Sequence, residues 1–517
     1  MKAWQRDLAW IVLAVLVWEI LGRWQLVAQG ALPAPSAIAA RWWLDRSDYP
    51  PHIAATALSA SLGFLAGSAA AIAAGILFAL SPLASRLARG VNIAIFALPP
   101  IAVVPILVLC LDGIAPRVVL AALGCYFPVM TATVLGLTQI DPRALDLVRA
   151  YGGGAGAVLR LIRARSALPV ILSGLKVAAP NAVLGAILAE FGGGGRYGLG
   201  AYLIGSLGRA DPARLWGIGL SATAMAGLAY ALLAVLARRA TGQARAVTIA
   251  ATASPGEAAG PADPLLRLLV LAGAAILPFL IWAGLVDGFH LPALIAKSPA
   301  ALADYLITGP NAASVQARLL AALGETMPTV LLGLLAGLAC AFLLALAGEA
   351  APTLSRLLLP TALVTQTMPL VALTPLLVLL LGRGTAVTIA ITVSVTFFPA
   401  YVAIAQGLAL VPRAALDLPR AYGASWWRQV RIVSIPAALP HLFAAARLGA
   451  PRALLGVMIA EWLATGRGLG NLLNQARGRL DYGMIWAVAL VSVLISVALY
   501  QLVVAGERVT LRRFGGR

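Results

Sequence analysis

Asp417-Leu418-Pro419-Arg420-Ala421-Tyr422-Gly423 is followed, seventeen residues after its glycine, by Pro440, and the chain contains this arrangement twice. Its twin is Asp146-Leu147-Val148-Arg149-Ala150-Tyr151-Gly152, with Pro169 seventeen residues beyond Gly152. Each copy is a charged island between apolar runs of about twenty residues, the length a helix needs to cross a bilayer. Each therefore belongs to a loop on one membrane face, and a loop kept in the same register twice has a specific task.

The remaining composition agrees with a membrane setting. Of 517 residues, 61% are hydrophobic and 11% charged, with mean hydropathy +0.93, whereas soluble domains carry about 25% charge. The net charge of +19 would point to nucleic acid in a soluble chain. Here the arginines cluster in short loops beside apolar runs, as the positive-inside bias requires, and nucleic-acid binding is set aside. Cys110, Cys125 and Cys340 fall in or beside apolar segments without metal-ligand spacing, so packing is their expected role. The opening apolar run follows Met1-Lys2-Ala3-Trp4-Gln5-Arg6-Asp7 without a convincing small-residue cleavage site, and reads as a retained first helix.

Hydropathy places six spans in the first half, near 8–28, 57–80, 90–111, 117–138, 168–190 and 215–237, and six in the second, near 265–286, 323–347, 357–381, 386–409, 439–461 and 484–504. Residues 240–264, rich in Ala, Thr, Gly and Pro, have the composition of a flexible linker. The expected organisation is a first repeat over 1–239, the linker, and a second repeat over 265–517. A nearly constant offset marks the two as an internal duplication: Pro99 and Pro105 answer to Pro369 and Pro375, Phe127-Pro128 to Phe398-Pro399, Ala189-Glu190 to Ala460-Glu461, and Trp216 to Trp486. An even number of spans per repeat makes the halves parallel. The fold class is thus an all-α polytopic membrane protein of about twelve helices in two parallel six-helix repeats. Arginine placement puts both termini and both repeated loops in the cytoplasm.

Read physically, Asp417 to Val433 gives two short helices with a turn at Gly423, which tolerates the positive φ of a sharp reversal. Trp426, Trp427 and Val430 fall on one helical stripe, with Arg428 and Arg431 facing the other way. Pro436 and Pro440 are expected to stop the helix and set the angle of the next span. A helix lying on the headgroups is the alternative, but a headgroup anchor needs no fixed register.

The loop resembles the EAA loop of bacterial ABC importer membrane subunits, in which an acid, two alanines, three further residues and a glycine precede a Leu-Pro pair. Asp146 and Asp417 occupy the acid position, Gly152 and Gly423 the glycine, and Leu168-Pro169 and Leu439-Pro440 the terminal pair. The chain departs in having Asp for Glu and Leu-Val or Leu-Pro for the alanines. The second copy is nearer the pattern; the first runs into Gly152-Gly153-Gly154, each glycine costing a helix about 1 kcal/mol relative to alanine. Leu32-Pro33-Ala34-Pro35-Ser36, Leu439-Pro440-His441 and Ala460-Glu461-Trp462 followed by Gly466-Arg467-Gly468-Leu469-Gly470 are similar to the nitrate, sulfonate and taurine branch. Two units that this branch usually carries on separate chains are fused here.

That resemblance implies coupling loops over about 142–167 and 413–438, with Asp146, Arg149, Ala150, Tyr151, Gly152 and Pro169, and Asp417, Arg420, Ala421, Tyr422, Gly423 and Pro440, meeting the ATPase. It implies an ABC ATPase dimer that binds ATP and Mg, an extracytoplasmic substrate-binding protein, and residence in the bacterial inner membrane. No cofactor is expected in this chain, which has no Gly-x-x-x-x-Gly-Lys-Ser/Thr; Gly192 to Gly200 lacks the lysine and reads as a flexible outside loop. No serine sits beside a plausible base, so catalysis by this chain is not expected. A twelve-helix major-facilitator transporter shares the span count but leaves the duplicated loop unexplained. A structural or scrambling protein has no positive feature.

Ionisable groups within spans are candidates for a pathway. Lys176 and Arg447 are equivalent and either snorkel or line it; Glu190 and Glu461 either pair with Arg196 and Arg467 or act at a gate. Arg452, opposite the uncharged Asn181, lies about 18 Å beyond Pro440 at 1.5 Å per residue. A cation there costs about 2.5–3.5 kcal/mol on insertion scales, so an anionic substrate in a wet pathway is the expectation, with neutral or cationic solutes such as thiamine precursors as the alternative.

Overall fold

The computed structural model describes residues 3–26, 30–140, 142–209, 211–241, 264–351 and 370–513. The expected linker, 240–264, lies almost wholly outside the described residues, as does most of the span expected near 357–381.

The first half runs α1 (Ala3–Arg23), α2 (Pro35–Leu44), α3 (Tyr49–Leu80), α4 (Arg89–Ala97), α5 (Pro100–Cys110), α6 (Ala115–Thr138), α7 (Pro142–Ala150), α8 (Ala164–Gly193), α9 (Leu199–Leu207) and α10 (Pro212–Thr241). The second runs α11 (Pro264–Gly288), α12 (Ala312–Ala350), α13 (Leu370–Leu381), α14 (Thr385–Ala409), α15 (Arg413–Ala421), α16 (Ile435–Ala460), α17 (Gly468–Gly478) and α18 (Tyr482–Arg513). Among the described residues nine helices are long and apolar enough to cross a membrane. The chain is an all-helical polytopic membrane protein.

One expected span is not a single helix. The segment near 90–111 is the pair α4 and α5, bent by 97°. Leu98 and Pro99 both precede prolines, which disfavours the α region, and their ψ values of 116° and 115° are extended. Proline at the first helical position then starts α5 without forfeiting a bond.

Packing repeats in the two halves. Helices α3, α6, α8 and α10 pack in that order, and α12, α14, α16 and α18 do the same. In lipid, where there is no hydrophobic drive between helices, close approach must come from small residues. Gly63 and Gly67 of α3 sit against Ala121 and Ala122 of α6, and their counterparts Gly333 and Gly337 of α12 sit against Thr392 and Thr396 of α14. The threonine hydroxyls donate back to carbonyls of their own helix, at 2.7 Å to Thr388 and 2.8 Å to Thr392, so they are satisfied without a partner across the helix contact.

The halves are joined reciprocally. The broken α4–α5 packs on α11 and α18 of the second half, and α13, the counterpart of α5, packs on α8, α9 and α10 of the first. One core results, with Ile101 and Val104 in the same cluster as Leu376, Val457 and Leu473. Phe96 meets Tyr500 edge-on at 6.2 Å, and Arg477 donates to the Gly192 carbonyl across the same junction.

Candidate coupling loops and pathway

The repeated loops form two nine-residue helices, α7 and α15, each closed by the same turn. Gly152 has φ +78° and Gly423 φ +73°. The Gly152 amide donates to Arg149 O and the Gly153 amide to Val148 O; the Gly423 amide donates to Arg420 O and the Ala424 amide to Pro419 O, each at 2.9 Å. This is the Schellman arrangement, in which a left-handed residue just past the helix lets two amides satisfy its last carbonyls. Asp146 lies 3.6 Å from Arg149, and Asp417 lies 3.6 Å from Arg420. The remaining surface is open: Ala150, Gly152, Ala421 and Gly423 are exposed, with Tyr151 at 87%, Tyr422 at 84% and Leu418 at 62%. Paired charge beside uncovered leucine and tyrosine is a surface suited to a partner.

Two expectations fail just downstream. The prolines do not stop the helix: α16 contains Pro436, Pro440 and Pro451, and α8 contains Pro169 and Pro180. A π turn precedes each, Leu159–Arg163 and Val430–Ser434. A proline ring crowds the carbonyl four residues earlier; for Pro436 that is Ile432, inside the widened turn, where it has room. Pro169 and Pro440 are carried within helices flanked by packed neighbours, where membrane helices tolerate proline. The apolar stripe also divides. Val430 is fully buried while Trp426 and Trp427 are 41% and 68% exposed.

At the far ends of α8 and α16 the structure assembles a carboxylate clamp twice. The Thr56 hydroxyl donates to Glu190 at 2.8 Å, the Gly200 amide donates to Glu190 Oε2 at 3.0 Å, and the Leu199 amide donates to Thr56 Oγ1 at 2.8 Å. In the second half Thr326, Gly470 and Leu469 take the same roles around Glu461, at 2.7, 2.9 and 2.9 Å. Each carboxylate caps the first turn of α9 or α17, where amide donors and the helix dipole favour a negative charge. Neither acid pairs with Arg196 or Arg467 among the described residues, and both are buried. The sequence missed the threonines, yet Thr56 and Thr326 stand 270 residues apart, so the repeat alignment held the signal. The glycine run is likewise not one flexible loop: residues 194–197 are exposed, but Gly198 to Gly200 are buried against Glu190 and Ile187, where a Cβ has no space.

Along α8 and α16 the cations differ. Arg447 Nη1 lies 3.1 Å from Glu507 Oε2 on α18. Its equivalent Lys176 is half-buried with no ion pair or hydrogen bond among the described residues. Asn181 reaches the Gly124 carbonyl at 3.5 Å. Arg452 is half-buried and has no ion pair or hydrogen bond among the described residues.

The sequence pattern of one family, described as binding-protein-dependent transport system inner membrane component, matches twice, over residues 63–242 and 333–512. The chain belongs to that family. The two matches contain the loops α7 and α15 and the clamp acids Glu190 and Glu461, and begin within α3 and α12, past Thr56 and Thr326. A probable ABC transporter permease protein of Haemophilus influenzae is 33% identical over 236 residues, 46% of this chain and 93% of the relative. The riboflavin transport system permease protein of Chloroflexus aurantiacus is 33% identical over 159 residues, 31% of this chain and 59% of its own length. A Bacillus subtilis permease named for aliphatic sulfonates is 30% identical over 118 residues, 23% of this chain and 43% of its own. No solved structure matches. The family match leaves no room for the major-facilitator alternative, and the chain is a permease subunit of the ABC importer type.

Proposed function

We propose that this fused permease forms the translocation pathway for a small anionic solute, driven by an ABC ATPase dimer docked on α7 and α15 and fed by an extracytoplasmic binding protein. In this reading both loops and both termini are cytoplasmic, ATP and Mg belong to the partner subunits, and the chain itself catalyses nothing. The open faces of α7 and α15, identical in turn geometry, support a paired docking role.

The observation that carries the charge of the solute is Arg452. A cation within a spanning helix is costly and needs compensation. Arg447 has Glu507, whereas Glu190 and Glu461 are held in clamps at the far ends of their helices and form no ion pair with Arg452 or Lys176 among the described residues. Arg452 and Lys176 remain, on equivalent helices of the two halves, as cations open to an anion passing between them. The relative named for riboflavin has an uncharged cargo in its name and the one named for aliphatic sulfonates an anionic one, so the relatives alone favour neither.

The test is transport in proteoliposomes containing the chain, its ATPase and its binding protein, with nitrate, taurine, an alkanesulfonate and riboflavin offered in turn. The expected result is uptake of an anionic member, reduced about tenfold or more in Arg452→Gln and less in Arg452→Lys, which keeps the charge but loses the planar fork. Uptake of riboflavin alone, or full activity of Arg452→Gln, would sink the anionic assignment.

A further inference from the structure

At the ends of α8 and α16 away from the coupling loops, the two halves satisfy their last carbonyls differently. A helix leaves its final carbonyls without intrahelical amides, and a cation placed there also meets the negative end of the helix dipole. In the second half the donor is local: the chain passes through the π turn Glu461–Thr465 to Gly466, whose carbonyl accepts from Asn471 Nδ2 at 2.7 Å. In the first half α8 stops at Gly193, and two arginines serve its end. Arg117, of the same half, donates to Gly194 O at 3.1 Å and to Tyr197 O at 2.9 Å. The Gly192 carbonyl accepts from Arg477, which stands on α17 of the other half.

The surroundings fit that cross-half bond. The Arg477 guanidinium lies over the Trp462 ring, 5.1 Å from its centroid, so the indole that follows Glu461 supports it. Gly192 leaves room for the indole: a Cβ there would stand 3.4 Å from Trp462 and collide with Val104 of α5. The repeat alignment puts Leu207 at the place of Arg477, Phe191 at that of Trp462 and Leu463 at that of Gly192. A leucine side chain has no donor, so the reciprocal bond cannot form.

We infer that Arg477 is a positioning residue for transport, a latch that holds the halves together at the end where the clamps lie. Alternating access requires the halves to part at each end in turn. Parting at this end takes the guanidinium off the Gly192 carbonyl, whereas the Asn471 bond and both clamps, each made within one half, travel with that half unbroken. A hydrogen bond with a charged donor is among the stronger ones, so one side chain bears directly on the balance between closed and open. The inference rests on the permease reading for what the opening admits; the latch itself belongs to the junction.

Distances between spin labels on the intact chain in lipid nanodiscs test it without any ATPase. In a background without Cys110, Cys125 and Cys340, labels go on Gly205→Cys of α9 and Gly324→Cys of α12, exposed positions in opposite halves where an added Cβ meets nothing. Arg477→Leu, which installs the residue of the first half, should raise the ratio of long to short distances about tenfold or more, the factor that loss of one hydrogen bond from a charged group implies. Arg477→Lys, which still brings a charged donor to the carbonyl, should restore most of the short distance. Should Arg477→Leu fail to insert, Arg477→Gln, neutral but polar, takes its place with the same expectation. Unchanged distances in the leucine or glutamine variant overturn the inference, as does a lysine variant no nearer the wild type than they are. Failure of the wild-type chain to hold an ABC ATPase would remove the permease reading and leave the distance shift standing.

Discussion

Glu190 and Glu461 show how position in a helix changes what a buried acid does. Each ends a long apolar helix and accepts one threonine hydroxyl and one backbone amide, so its charge is spent on holding α9 or α17 in place. Removing one partner leaves the others short. Thr326→Val takes the donor from Glu461 and the acceptor from the Leu469 amide, which costs about 1–3 kcal/mol for a buried unsatisfied group. The melting temperature of the purified protein should fall, and Thr326→Ser, which keeps the hydroxyl, should recover most of it. Equal melting of the valine and serine variants would show that the clamp contributes nothing. The acids were legible from the sequence as exceptional residues; their task was not, because the threonine partners come from helices more than a hundred residues away.

At the scale of elements, the loops give the clearest comparison between pattern and structure. The turn glycines, the paired Asp and Arg and the exposed tyrosines follow from the sequence alone, since a Schellman turn is a local event. The column beyond them does not, because a π turn leaves no compositional mark and decides the fate of Pro436. The same geometry bears on the glycine run of the first loop. Gly153 is not a spare for Gly152: its amide is already bonded to Val148 O, and a side chain built on it would collide with Val148. Gly152→Val and Gly423→Val should therefore disrupt their turns alike, each forcing a β-branched residue to positive φ at a cost of about 1–3 kcal/mol. Both should weaken ATPase copurification while membrane insertion persists. Full ATPase association in both variants would favour helices that lie on headgroups.

For the whole molecule, the duplication and nine of the twelve expected spans were legible, because apolar periodicity and a constant offset are properties of the chain. The break at Leu98-Pro99 was written in the sequence as two successive residues before proline, and was hidden by an apolar run of the right length. Orientation remains a matter for labelling. In a background without Cys110, Cys125 and Cys340, a single cysteine at Ala424 should react only with reagent from the cytoplasmic side, and one at Ser254 likewise. Labelling of either from outside in intact cells would invert the assignment and remove α15 as a docking element.

The reciprocal seating of α4–α5 and α13 also bears on how the protein is made. When the first half has left the ribosome, α4–α5 has no α11 or α18 to lie on, and the Gly192 carbonyl has no Arg477. At about 5–20 residues per second, synthesis of the second half takes tens of seconds. Through that interval α4–α5 and the Gly192 carbonyl wait in the bilayer without their second-half contacts. Fusion in one polypeptide bounds the wait by translation rather than by a chance encounter between separate subunits, and ensures that each first half meets exactly one partner of the complementary kind.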